Sequence, residues 1–321
     1  MRKQSCRFDR GVAPSRNTPL TLQFPSINIC LHRTKNPSEE ASPTLKLDLT
    51  QAREQRWLVT MRKAIVFFWL LVSVGPLGHA AELPDKESFH LFLLVGQSNM
   101  AGRGVVDEAA KAAHPRVLMF TKDQEWKPAI DPLHFDKPNI VGVGPGRAFA
   151  NAVAEANPEI TVGLIPCAVG GSPISAWQAG AFYKPTKSHP WDDALARAEE
   201  ALKNGQLKGI LWHQGESDSK PELATLYERR LHELIGRFRA ELDASDVPFI
   251  VGQMGIFKER PWNEAKRQVD RVHKDVPKKV SRSGFASAEG LNHKGDEVHF
   301  DTASARTLGQ RYYEAWQALS V

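Results

Sequence analysis

Cysteine is scarce in this chain, with three in 321 residues. Cys6 and Cys30 precede residue 61, so the remainder carries Cys167 alone. That excludes an internal disulfide and a cysteine-based metal site there, and Cys167 in its apolar surroundings reads as a buried core thiol. No His-x-x-x-His pair occurs, which removes the helical zinc signature, and neither a P-loop nor a dinucleotide fingerprint follows any apolar run. No apolar run approaches the roughly 18 residues of a membrane helix. An excess of one charge is missing from most of the chain as well. The formal charge is +5, yet residues 1–60 hold 10 basic against 5 acidic side chains, and residues 61–80 add two basic ones. Residues 81–321, with 30 basic and 32 acidic, are close to neutral, so the basic balance is no argument for nucleic acid.

What is present begins with a targeting pattern. Met61-Arg62-Lys63 leads into Ala64 to Val74, apolar except for one serine, then a Gly-Pro break and the small residues before Ala81. This is the order of a cleavable secretory signal over residues 61–80, with an apolar core too short to span a bilayer. It implies a secreted or periplasmic protein without stable membrane insertion. Residues 1–60, rich in Pro, Ser, Thr, Asn and Arg and without periodicity, read as an over-extended gene product whose translation starts at Met61, or else as disordered chain.

Residues 81–321 read as one domain in which strands and helices alternate. Strands are expected at Leu91 to Val95, Thr161 to Ala168, Gly209 to Trp212, Pro248 to Gln253 and, more weakly, Val280 to Ala286, with an edge or inserted strand at Arg116 to Phe120. Helices are expected at Arg147 to Ala156, Trp191 to Asn204, Pro221 to Leu242, Pro261 to Lys274 and Asp301 to Leu319. That order specifies a parallel sheet covered by helices on both faces, a three-layer α/β/α sandwich.

Parallel topology brings the loops after the strands to one sheet edge. The first offers Ser98 behind Gly96, the second Gly170 and Gly171, the third Gln214, and the last Asp296 and His299. A serine, an imidazole, a carboxylate and neutral N–H donors together form an acyl-transfer site. In this reading Ser98 is the nucleophile, His299 its base, and Asp296 the group that orients the ring. Ser98 N–H, Gly171 N–H and the Gln214 amide face the oxyanion, with Gly170 the alternative to Gly171. Asn99, Arg103, Gly170 and Glu216 are the candidates for substrate contact, although Asn99 and Arg103 also suit loop fixation, and Glu216 and Asp218 suit bracing or capping. Glu297 and Asp301 compete with Asp296 as the acid, Asp301 reading better as the cap of the final helix. His213 reads as a packing residue. Trp177, Trp191 and Trp262 are either buried or sugar-stacking.

Gly96-Gln97-Ser98-Asn99-Met100-Ala101-Gly102, Cys167-Ala168-Val169-Gly170-Gly171-Ser172, His213-Gln214-Gly215-Glu216-Ser217-Asp218 and Asp296-Glu297-Val298-His299-Phe300 resemble, in order, the blocks of the sialate O-acetylesterase and acetyl xylan esterase family of carbohydrate esterases. That family lies within the SGNH-hydrolase superfamily. The resemblance spans residues 88–319 and implies a flavodoxin-like α/β/α fold, a metal- and cofactor-independent serine esterase, and an acetylated carbohydrate substrate. It implies the same triad and oxyanion donors, with Gln214 standing where the wider superfamily has asparagine. The rival readings are a deacylase of other small esters, thioesters or lipids, and a catalytically silent glycan-binding module.

Overall fold

The computed structural model of the chain describes residues 83–320, so the expectations for residues 1–60 and for the signal segment at 61–80 lie outside the described residues. A seven-stranded sheet forms the middle layer. Its strands are β1 (Phe89–Gly96), β2 (Val117–Phe120), β3 (Trp126–Pro128), β4 (Thr161–Pro166), β5 (Gln206–His213), β6 (Phe249–Gly252) and β7 (Ser283–Ala286). They lie in the order β3-β2-β4-β1-β5-β6-β7, and all pairings are parallel except β2 with β3. The chain leaves β1 toward one side and returns to the other with β5, so β1 sits at the switch point where open α/β sheets place their crevice.

Alternation along β1 builds both halves of the core. Phe89, Leu91, Leu93 and Val95 belong to one buried cluster, whereas Phe92 and Leu94 belong to the other. The first cluster takes in α4 (Pro190–Ala201), α5 (Pro221–Glu241) and α6 (Glu264–Lys279). The second takes in α3 (Gly146–Ala156) and α7 (Thr302–Gln317). Phe92 meets Phe149 of α3 and Trp316 of α7 edge-on at 4.9 and 5.3 Å, tying central strand to both helices. Two four-residue helices, α1 (Ser98–Ala101) and α2 (Glu108–Lys111), complete the set.

The expected sandwich is therefore present, with differences at element ends. The helix placed at residues 261–274 starts at Glu264, because Asn263 caps it by accepting from Lys266 N–H. It continues through Pro277 to Lys279, and β7 accordingly begins at Ser283 rather than near residue 280. β3 was not expected; three residues beside a proline carry no usable alternation.

Three histidines are buried in the described residues, His134, His213 and His273. Burial holds the imidazoles of His134 and His273 down to about 3, so both are neutral in the folded chain. The unfolded chain would protonate them at the ordinary 6.5. The stability these two groups contribute by staying neutral is thus fully present above pH 6.5 and is lost as pH falls toward 3. Tm measured across that window should decline steadily; a flat profile would contradict this assignment.

Candidate active site

Gly96 ends β1 with φ +123°, and a Cβ there would collide with the His213 carbonyl of β5. The chain can turn this tightly against its neighbour only at glycine, and the turn starts α1 with Ser98. Ser98 N–H has no acceptor among the described residues, as befits the first turn of a helix.

The last loop supplies the other two groups of the expected triad. Asp296 Oδ1 accepts from the backbone N–H groups of Val298 (3.0 Å) and His299 (2.8 Å), closing a turn in which Glu297 takes φ +59°. Its Oδ2 lies 2.7 Å from His299 Nδ1, and His299 Nε2 lies 3.0 Å from Ser98 Oγ. Partial burial alone would raise the Asp296 pKa, but the bonds from the His299 N–H and ring and from Val298 N–H hold it down to about 2. A carboxylate at Nδ1 keeps the proton on that nitrogen and leaves the Nε2 lone pair facing the serine hydroxyl. Asp301 instead caps α7, accepting from Ser304 N–H at 2.7 Å, and Glu297, at a left-handed turn position, borders the cavity while Asp296 is the carboxylate that meets the ring.

Asn99 binds the two loops to each other. Its Oδ1 accepts from Phe300 N–H at 3.2 Å, and its Nδ2 donates to Val298 O at 3.2 Å and to Glu216 Oε1 at 2.6 Å. The expected substrate contact is thus corrected for Asn99, which is buried with its polar atoms engaged. Arg103 is corrected likewise: it is buried, donates to Gly102 O, and pairs with Asp136 at 3.5 Å. Gly170 N–H donates to Asp136 Oδ2 at 2.7 Å, which removes it as a donor to any ligand. Gly171, at φ +81°, lines the cavity and its N–H has no acceptor among the described residues. The choice between the two glycines therefore falls on Gly171.

The largest correction concerns Gln214. It is fully buried and absent from the cavity wall. Its Nε2 donates to Asp218 Oδ2 at 2.6 Å and lies 3.2 Å from both Ser172 O and Gln97 Oε1. Asp218, whose pKa burial raises, also accepts from Ile174 N–H at 2.8 Å, so Gln214 and Asp218 brace the loops after β4 and β5. The glutamine that does line the cavity is Gln97. Its Oε1 accepts from the backbone N–H of Ser217 (3.3 Å) and from Gln214 (3.2 Å), and no acceptor among the described residues takes its Nε2 hydrogens. Its place beside Ser98 in the sequence was the available signal.

The cavity holds about 380 Å³ and is walled by Ser98, His299, Gly171, Glu216 and a stretch from Arg260 to Asn263, with Lys266 behind. The loop after β6 that supplies this wall was not anticipated. Of the three tryptophans, Trp177 and Trp191 are buried, whereas Trp262 borders the cavity. Its Nε1 donates to Gly255 O at 2.9 Å, and Lys266 Nζ lies 5.0 Å from its ring centre. His213 packs as expected, fully buried, with Nδ1 3.2 Å from Tyr312 Oη.

Compared with known proteins, residues 88–318 match the sequence profile described as carbohydrate esterase, sialic acid-specific acetylesterase. The chain belongs to this family of carbohydrate esterases. It is similar to "Probable carbohydrate esterase At4g34215" of Arabidopsis thaliana, 33% identical over 246 residues that cover 70% of this chain and 89% of the relative. The X-ray structure of the Arabidopsis thaliana protein AT4G34215 superposes with TM-score 0.63 at 31% identity, covering 73% of this chain and 99% of that one. The crystal structure of NanS shares the fold, with TM-score 0.59 at 17% identity over 74% of this chain and 98% of its own. As a carbohydrate esterase the chain is a carboxylic ester hydrolase, and no helix among the described residues is long and apolar enough to cross a membrane.

Proposed function

We propose that this carbohydrate esterase removes O-acetyl groups from sugars through an acetyl-enzyme on Ser98. The observation that carries the reading is the unbroken run of contacts from Asp296 through His299 to Ser98, opening on a cavity of about 380 Å³. Ser98 Oγ attacks the acetyl carbonyl while His299 Nε2 takes its proton, then returns that proton to the departing sugar oxygen. Water, deprotonated by the same nitrogen, then releases acetate from Ser98. The Ser98 N–H, the Gly171 N–H and the Gln97 side-chain amide are the donors to the developing oxyanion.

Assigning the third donor to Gln97 has a measurable consequence. Gln97→Met keeps the side-chain length and removes the donor, so kcat should fall by roughly 10²–10³ with KM little changed. Unaltered kcat would return the role to another group. The activity itself is tested by acetate release from O-acetylated sialic acid, acetylated xylan and an aryl acetate, using the chain from Ala81. The account expects release from the aryl acetate and faster release from one of the sugars; release from neither sugar would end the carbohydrate reading. The sugar is held, in this proposal, by the wall that includes Trp262 and Arg260. We also propose export through residues 61–80, supported by the basic-then-apolar order of that segment. N-terminal sequencing of the secreted chain should begin near Ala81, and a mature chain retaining Arg10 would refute it.

A further inference from the structure

Gly171 borders the active cavity, and two polar side-chain ends stand over it. A methyl group added at this glycine would lie 3.1 Å from Tyr183 Oη and 3.8 Å from Lys137 Nζ. Neither group takes part in the triad or in its bracing. Tyr183 is held in place twice over. Its ring packs against the first hydrophobic cluster. Its backbone pairs with Ser188, Tyr183 N–H donating to Ser188 O at 2.8 Å and Ser188 N–H to Tyr183 O at 3.4 Å. Lys187, at φ +52°, turns the chain between them, and Thr186 Oγ1 lies 2.7 Å from Ser188 Oγ. With ring and backbone fixed, the phenol hydroxyl has no partner among the described residues and is open to solvent. Partial burial raises its pKa from the ordinary 10.0, so it keeps its proton through the neutral range and can both donate and accept. Lys137 sits on a turn whose carbonyl, its own, accepts from Ile140 and Val141 N–H, both at 3.0 Å. Asp136 beside it is engaged with Gly170 N–H and Arg103.

Packing does not call for the Tyr183 hydroxyl, since phenylalanine would fill the same space against the cluster. A phenol and an ammonium that converge on one glycine of an acyl-transfer site suit an alcohol, whose oxygen accepts from Lys137 Nζ and whose proton goes to Tyr183 Oη. The strand order supports this use. β4 and β6 lie on either side of β1, so the loops that carry Gly171 and Trp262 flank Ser98. We infer that Tyr183 is a specificity-determining residue, its hydroxyl holding, together with Lys137 Nζ, a free ring hydroxyl of the acetylated sugar while Ser98 takes the acetyl group. The inference rests on the carbohydrate-ester reading of Ser98 and adds to it the group that tells a sugar ester from a simple one. An aryl acetate has no hydroxyl to offer, and so gains nothing from this contact.

The test compares kcat/KM for acetylated xylan, O-acetylated sialic acid and an aryl acetate in the parent, in Tyr183→Phe and in Lys137→Met. Phenylalanine keeps the ring against the cluster, and methionine keeps most of the lysine stem, so both variants should fold as the parent does. The readout is the ratio of kcat/KM for the better sugar substrate to kcat/KM for the aryl acetate. It should fall about fivefold or more in Tyr183→Phe, chiefly through KM for the sugar, and by a similar factor in Lys137→Met. A ratio unchanged in either variant would overturn the proposal, whether both rates hold or both decline, because a residue that merely supports Gly171 affects every ester alike. Cleavage of the aryl acetate but of neither sugar by the parent would instead defeat the carbohydrate reading, and the proposal with it.

Discussion

Ser98→Ala should lower kcat/KM for any acetyl ester by about 10⁴-fold or more, with little change in Tm. The hydroxyl has one side-chain partner, His299 Nε2 at 3.0 Å, so its removal leaves the surrounding bonds intact. Alanine at this position still offers its backbone N–H, and with Gly171 N–H and the Gln97 amide the cavity retains its donors. What disappears is the covalent route, and with it the division of one difficult displacement into two easier ones. Steady-state hydrolysis of an aryl acetate reads the effect directly. A variant within tenfold of the parent would show that the acyl group passes elsewhere, because loss of a nucleophile cannot be that mild.

Asp296→Asn should cost about 10⁴-fold in kcat for a different reason. In the parent, Oδ1 accepts two backbone N–H groups and Oδ2 accepts the imidazole proton. Asparagine has one acceptor oxygen. If that oxygen keeps the backbone bonds, the amide nitrogen faces Nδ1 as a donor, and the ring proton moves to Nε2. The nitrogen beside Ser98 then has no lone pair to accept the hydroxyl proton. The pH profile separates this role from a merely structural one. Since the Asp296 carboxyl lies at about 2, it stays ionised at every pH above that value. Activity lost on acidification well above that value is therefore not a titration of Asp296. The asparagine variant should have low kcat throughout, because its defect is the tautomer and not a charge. Recovery of parental kcat in mildly alkaline buffer would contradict that.

The run from Asp296 through His299 to Ser98 could be anticipated because each residue carries a local signal, although Ser98 lies 201 positions from His299. Asp296 and His299 lie three apart on a tight turn, and Ser98 follows a glycine that ends an apolar run at the centre of a parallel sheet. The order of strands and helices specified the sandwich for the same reason, since each element carries its own periodicity. Gln214 shows where that reasoning fails. Two glutamines stand at the ends of adjacent strands, and only the place of Gln97 beside Ser98 hints at which of them lines the cavity. The answer depends on Ser217 N–H and Asp218, which seize Gln97 Oε1 and Gln214 Nε2 respectively. Arg103 and Asn99 were ambiguous on the same grounds, as their partners Asp136, Phe300 and Glu216 are distant in sequence. The cavity wall from Arg260 to Asn263 belongs to a loop without a recognisable pattern, and only packing against Lys266 and Gly255 defines it.

The central claim is that an acetyl group rests on Ser98 during turnover, and peptide mass mapping of enzyme acid-quenched within milliseconds of mixing with an aryl acetate tests it most directly. The account predicts one acetyl mass on the peptide that contains Ser98, absent from Ser98→Ala. An unmodified Ser98 peptide during rapid turnover, or the acetyl mass on another residue that carries the flux, would contradict it.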